Sequence, residues 1–213
     1  MKPAALSRTV LYILWGLAFV WGVVYANNTI YGVLSKQPLN TYVNDIVSDA
    51  VFLFVGFMPV IWAPRFFGYQ AGSITKHWKM LLGMAVFFTG APLLYRLFLG
   101  ETPFGANTWF FEGVVVPLAE ESCFRGVLLS MLLFGFGKLY SSRSSDWLTI
   151  ILSTVIFASA HLNNLGHYPT GFILSQVGFS TIVGLAFGYT RVKTGSIYPA
   201  IILHALFNLA GTL

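Results

Sequence analysis

Seven long apolar runs recur along this chain, at roughly Arg8 to Asn27, Ile46 to Trp62, Trp78 to Leu99, Trp109 to Phe136, Trp147 to Leu162, Thr170 to Tyr189 and Ser196 to Leu213. Each approaches the ~20 residues needed to cross a hydrocarbon core. Inside lipid a backbone amide has no water to bond, so only helices or a closed barrel can span, and unbroken apolar runs contradict the alternation of barrel strands. The runs therefore predict an all-α fold, a polytopic transmembrane helical bundle of about seven to eight helices. It reads as one integral membrane domain over residues 1–213, with a motif-bearing half at 112–213 and N-terminal helices at 1–111. Composition agrees, since 9% of the 213 residues are charged against about a quarter in an ordinary soluble domain.

The net charge of +5 would suggest nucleic acid in a soluble protein, but here the cations fall between apolar runs and read as topology signals, so no nucleic-acid partner is expected. With the N-terminus cytoplasmic, Lys2, Arg8, Arg65, Lys76, Lys79, Lys138, Arg143, Arg191 and Lys193 share one side, Lys36 and Arg96 the other, and Arg125 lies within a run. That bias supports an N-in, C-out chain with an odd number of crossings, and the compact length and short connectors suggest a prokaryotic cell (inner) membrane. Lys2, Arg8 and Val24-Tyr25-Ala26 raise a signal peptide, but the first run exceeds a usual signal core, so an uncleaved helix is expected. Turn formers punctuate the rest: Lys36-Gln37-Pro38, Gly72-Ser73, Gly100 to Pro103, Ser141 to Ser145 and Thr194-Gly195. A short re-entrant helix near Phe104 to Val116, broken at Pro117, is a further candidate. Gly184 and Gly188 mark a close helix contact.

The fourth run contains Glu120-Glu121-Ser122-Cys123-Phe124-Arg125-Gly126. A charged group near the bilayer centre costs ~2.5 to 3.5 kcal/mol on insertion scales, so such residues face the bundle interior and mark a pathway or site. Glu121 and Arg125 stand four apart and can pair along one helix face, whereas Glu120 lies about 100° around the axis and is free for another partner. Cys123, the single cysteine, excludes an internal disulfide and reads as packing. His161 ends the fifth run, and His204 and Asn208 share one face of the seventh. His77 and His167 fall in connectors. Polar groups on three separate helices point to one convergent centre. Without a nucleophilic Ser or Cys in the set, hydrolysis by activated water is the direct chemistry: a buried carboxylate as general base, a histidine holding the water, and imidazole and carboxamide donors for the oxyanion. The same groups could hold a metal, although a His-Glu-x-x-His run is absent.

Glu-Glu-x-x-Phe-Arg-Gly, then Phe-x-x-x-His, then His-x-x-x-Asn after Thr194-Gly195-Ser196-Ile197, resembles the CPBP (Abi) family over roughly Glu112 to Leu213. That family comprises type II CAAX-prenyl endopeptidases and bacteriocin-processing membrane proteases. The resemblance implies an intramembrane protease in which Glu120 and His161 activate water, His204 and Asn208 stabilise the oxyanion, and Glu121 and Arg125 support them. It implies no cofactor in a glutamic-type mechanism. The metal-dependent alternative is zinc (Zn) held by Glu120, His161 and His204. The expected partners are membrane lipids and a polypeptide substrate, such as a C-terminal sorting tail, a leader peptide or a prenylated protein, cut near the exterior side. The rival readings are a catalytically inactive membrane scaffold or regulator and a proton-coupled carrier. The carrier would need repeats or an intramembrane charge cluster in the first half, and neither is evident.

Overall fold

The structure is a computed structural model that describes residues 3–34, 36, 41–99, 109–137, 142–166 and 168–212. Those residues form a bundle of seven helical rods, and no named strand occurs among them. α1 is Pro3–Leu34, α2 is Thr41–Trp62, and α3 is Trp78–Leu99, entered through a 3-10 turn at Thr75–His77. α4 covers 109–136 and alternates π-helical and α-helical segments at Phe111–Val115, Val116–Glu121, Ser122–Leu128 and Leu129–Phe136. α5 is Ser142–Ala160 with a 3-10 turn at His161–Asn164, α6 is Thr170–Thr194, and α7 is Tyr198–Thr212. The spans Thr9–Leu34, Thr75–Phe98, Arg143–Asn164 and Thr170–Thr194 are each long and apolar enough to cross a bilayer. The chain is an integral membrane protein.

All seven apolar runs are helical, but several rods outrun them: α1 passes uninterrupted through Val24-Tyr25-Ala26 to Leu34, α6 continues to Thr194, and Ser142 to Ser145 belong to α5 rather than to a connector. The reason is that hydropathy registers only the part of a helix inside hydrocarbon, while the polar turns beyond keep their backbone bonds. The break at Pro117 does not form. Proline lacks the N–H for the Gly113 carbonyl and crowds it, and the wider π turn Phe111–Val115 just before it lets the rod pass. Gln37, Pro38, Gly100 to Thr108, Lys138, Ser141 and His167, which include several expected connector positions, lie outside the described residues.

α4 is the axis of the bundle, touching α1, α2, α5, α6 and α7, while α3 packs on α7. Every residue from Glu121 to Ser130 is buried, which accounts for a helix apolar on all sides. Gly184 and Gly188 do mark a close contact: a Cβ at Gly184 would stand 2.7 Å from Thr154 Cγ2, and one at Gly188 3.2 Å from Ile150 Cγ2. The six tryptophans, Trp15, Trp21, Trp62, Trp78, Trp109 and Trp147, are all exposed on the perimeter.

Two ends of the bundle are distinguishable. At one, the connector between α2 and α3 lies on the α6–α7 turn, where Ser73 N–H bonds to the Thr194 carbonyl at 2.7 Å and Ile197 N–H to the Gly68 carbonyl at 2.9 Å. Arg65, Lys76, Lys79, Arg143, Arg191 and Lys193 belong to this end, with Arg96 near the other. These bonds satisfy the last carbonyls of α6 and the first amide of α7, groups that lipid would leave orphaned. Gly72 makes the approach possible, because its φ of +56° is left-handed and a Cβ there would overlap the Thr194 carbonyl. Gly72→Ala is therefore expected to destabilise the fold by about 1–3 kcal/mol, read as a lowered unfolding midpoint in detergent or nanodiscs; an unchanged midpoint would contradict the account.

Candidate intramembrane active site

The central stretch of α4 presents two adjacent acids to α7. Glu121 is fully buried, and its Oε1 accepts from Arg125 Nη1 at 3.1 Å and from His204 Nδ1 at 2.9 Å. The pairing of Glu121 with Arg125 along one face of α4 is thus present, and it extends across to α7. Glu120 points at the other side of the same imidazole, with its Oε2 3.8 Å from His204 Nε2, and keeps 21% side-chain exposure. Of the two acids, Glu120 is the one that is not fully enclosed by protein.

Aromatic rings close the cluster. Phe157 lies 4.1 Å beneath the Arg125 guanidinium, 5.0 Å from Phe124 and 6.5 Å from the His204 ring. Phe187 flanks His204 at 5.8 Å and Arg125 at the same distance. The Phe of the Phe-x-x-x-His pattern therefore acts as the floor under Arg125, where a desolvated cation–π contact is favourable. His161, one turn on, packs edge-on against Phe157 at 5.2 Å, and its buried Nε2 has no hydrogen-bond partner. It makes no ion pair with Glu120 among the described residues, but it lies within electrostatic reach of His204 and Arg125.

Asn208 stands one turn from His204 but is engaged elsewhere: its Nδ2 donates to the carbonyl of Glu112 at 3.1 Å and to Glu112 Oε2 at 3.3 Å. The structure thus gathers Glu120, Glu121, Arg125 and His204 in contact, sets His161 across the Phe157 ring, and ties Asn208 to Glu112. Glu112 had a signal in the sequence, as an acid inside the fourth apolar run, eight residues before Glu120. A second residue beyond the sequence reading is Tyr69, whose hydroxyl bonds to Ser122 beside Glu121. Cys123 is buried in the main apolar cluster, as packing requires. His77 sits in the 3-10 turn before α3, away from the cluster.

A zinc-type centre on Glu120, His161 and His204 would need three donors around one point. Among the described residues no group of three His, Cys, Asp or Glu side chains is so arranged. The residues in this geometry do not fit that metal, and no step below is routed through one.

Fold and cluster together define a polytopic α-helical membrane protein with a buried acid–imidazole centre. A profile of the type II CAAX prenyl endopeptidase Rce1-like family matches residues 102–210. The chain belongs to this family, whose members are membrane proteases of the CAAX type. A curated Escherichia coli protein described as "Uncharacterized 24.3 kDa protein" is 26% identical over 136 residues, 62% of this chain. The match spans 56% of that relative's length. No solved structure matches the chain significantly.

Removing one partner of a buried ion pair strands the other. Arg125→Met should therefore cost about 3–5 kcal/mol of stability, visible as a large drop in unfolding midpoint, and adding Glu121→Met should recover much of it. A single variant as stable as the parent would remove Arg125 from its supporting place.

Proposed function

We propose that the protein is an intramembrane endopeptidase that hydrolyses a peptide bond of a membrane-associated or exported polypeptide by glutamate-activated water. The observation that carries this reading is the His204 imidazole set between two carboxylates, with Nδ1 on Glu121 and Nε2 facing Glu120. A carboxylate accepting from Nδ1–H fixes the ring and directs Nε2 at the reacting atoms. Arg125, bound to the same Glu121 oxygen, holds that acid in place.

In this scheme the attacking water gives a proton to Glu120 while its oxygen bonds to the scissile carbonyl carbon and the carbonyl π pair moves onto oxygen. His204, as an imidazolium, donates from Nε2 to that oxyanion. Asn208 adds an amide donor by exchanging Glu112 for the developing charge. His161, whose Nε2 has no protein partner, holds the water in line. When the tetrahedral intermediate collapses, the C=O reforms, the C–N bond breaks, and the proton on Glu120 passes to the leaving nitrogen. The scheme needs no metal. Activity that is abolished by a chelator and restored by zinc would overturn that part of it.

Glu112, Asn208 and the end of α5 belong to the end of the bundle opposite the basic connectors. With the basic end cytoplasmic, the substrate is cut from the exterior side, and the N-terminus is cytoplasmic in a prokaryotic cell membrane. Labelling of Asn163→Cys from the exterior supports this orientation; labelling from the cytoplasm alone reverses it.

Glu120→Gln should lower kcat on a membrane-tethered peptide by about 10²–10⁴-fold with folding retained, and His204→Ala should lower it as far while also lowering the unfolding midpoint, because it strands Glu121. Asn208→Ala should cost about 10²–10³-fold. Variants that keep full cleavage would sink the assignment.

A further inference from the structure

Tyr69 stands on the connector between α2 and α3, yet its hydroxyl reaches Ser122 in the middle of α4. Ser122 in turn bonds to the carbonyl of Leu118. A serine hydroxyl has one proton, so a single order fits both contacts: Ser122 donates to Leu118, and Tyr69 donates to Ser122. The Leu118 carbonyl also receives the Ser122 N–H at the point where the helix passes from α to π spacing. The chain of hydrogen bonds thus ends on the turn that carries Glu120 and Glu121.

The phenol is held on every side. Phe57 and Tyr198 meet its ring edge-on at 5.3 and 5.9 Å. The connector beneath it is pinned by Ile197 N–H on the Gly68 carbonyl, by Gln70 on the Gly195 carbonyl at 3.2 Å, and by Arg191 on the Phe66 carbonyl at 3.4 Å. Burial, reinforced by Tyr198 and the Glu121 carboxylate, pushes the Tyr69 hydroxyl up to about 12, so it keeps its proton and remains a donor at neutral pH.

We infer that Tyr69 is a positioning residue of this site, acting through Ser122 to hold the α-to-π turn of α4 so that Glu120 and Glu121 meet opposite nitrogens of His204. The inference rests on the reading of that cluster as a hydrolytic centre. A π turn departs from the regular α-helical ladder and is frequent at functional sites, and one residue of slip there would rotate both acids away from the imidazole. A donor entering from a separate connector is what fixes the register.

The single cysteine supplies a reporter that does not depend on catalysis, because Cys123 follows Ser122 on the same turn and is fully buried. Full-length parent, Tyr69→Phe, Ser122→Ala and the double variant are compared in nanodiscs for kcat and KM on the tethered peptide, for Cys123 alkylation by N-ethylmaleimide, and for unfolding midpoint. Tyr69→Phe is expected to lower kcat about tenfold, the factor carried by one hydrogen bond, with KM unchanged, Cys123 alkylated about tenfold faster, and the midpoint lowered by no more than the loss of that one bond. Ser122→Ala should reproduce this, and the double variant should be no worse than either single. Independent, multiplicative losses, an unchanged kcat, or a loss that merely follows a lowered midpoint would overturn the positioning role. If the parent cleaves no peptide, the hydrolytic reading fails on its own account and alkylation decides the rest: faster labelling in Tyr69→Phe upholds the hold on the turn, and equal labelling refutes it.

Discussion

One oxygen atom, Glu121 Oε1, receives both the guanidinium of Arg125 from its own helix and the imidazole of His204 from α7. A carboxylate with no exposure to solvent is tolerated inside a bilayer only when donors replace its water, and here one donor is a full cation. The arrangement fixes more than charge. It sets the rotation of α4 about its axis, the height of α7 against it, and the tautomer-determining contact of the imidazole. With Oε1 occupied from two sides, Glu120 is left as the acid with residual exposure, so the different surroundings of the neighbouring carboxylates follow from helix geometry rather than from residue type.

The bundle has to make room for this arrangement. The start of α7 lies inside the body of the protein, with Ser196, Ile197, Pro199 and Ala200 all buried. The connector between α2 and α3 fills the space below it, with backbone bonds to Thr194 and Ile197 in place of water. The buried start of α7 places His204 at the level of the acids, and the connector supplies backbone partners where that start has no water. Fold and site are in this sense one solution to the rule that polar backbone in lipid must find protein partners.

Much of this was legible in the sequence. Run lengths gave the seven helices, the spacing of Glu121 and Arg125 gave their pair, and Gly184 and Gly188 gave the contact with α5. These depend on periodicity within one segment, which a sequence displays directly. What it did not display were contacts between segments far apart in the chain. Nothing local says that Asn208 bonds to Glu112, that Tyr69 reaches Ser122, or that His204 divides its nitrogens between two acids. The sequence left the passage of α4 through Pro117 open for a related reason: proline's cost is local, but the relief comes from a π turn that apolar periodicity does not encode.

The perimeter holds every indole in the protein, while phenylalanines line the interior around Arg125 and His204. Intrinsic near-ultraviolet emission therefore comes from chromophores already bathed in acyl chains or headgroups. Such tryptophan light reports chiefly on the surrounding lipid or detergent, and only indirectly on the packing around the buried acids.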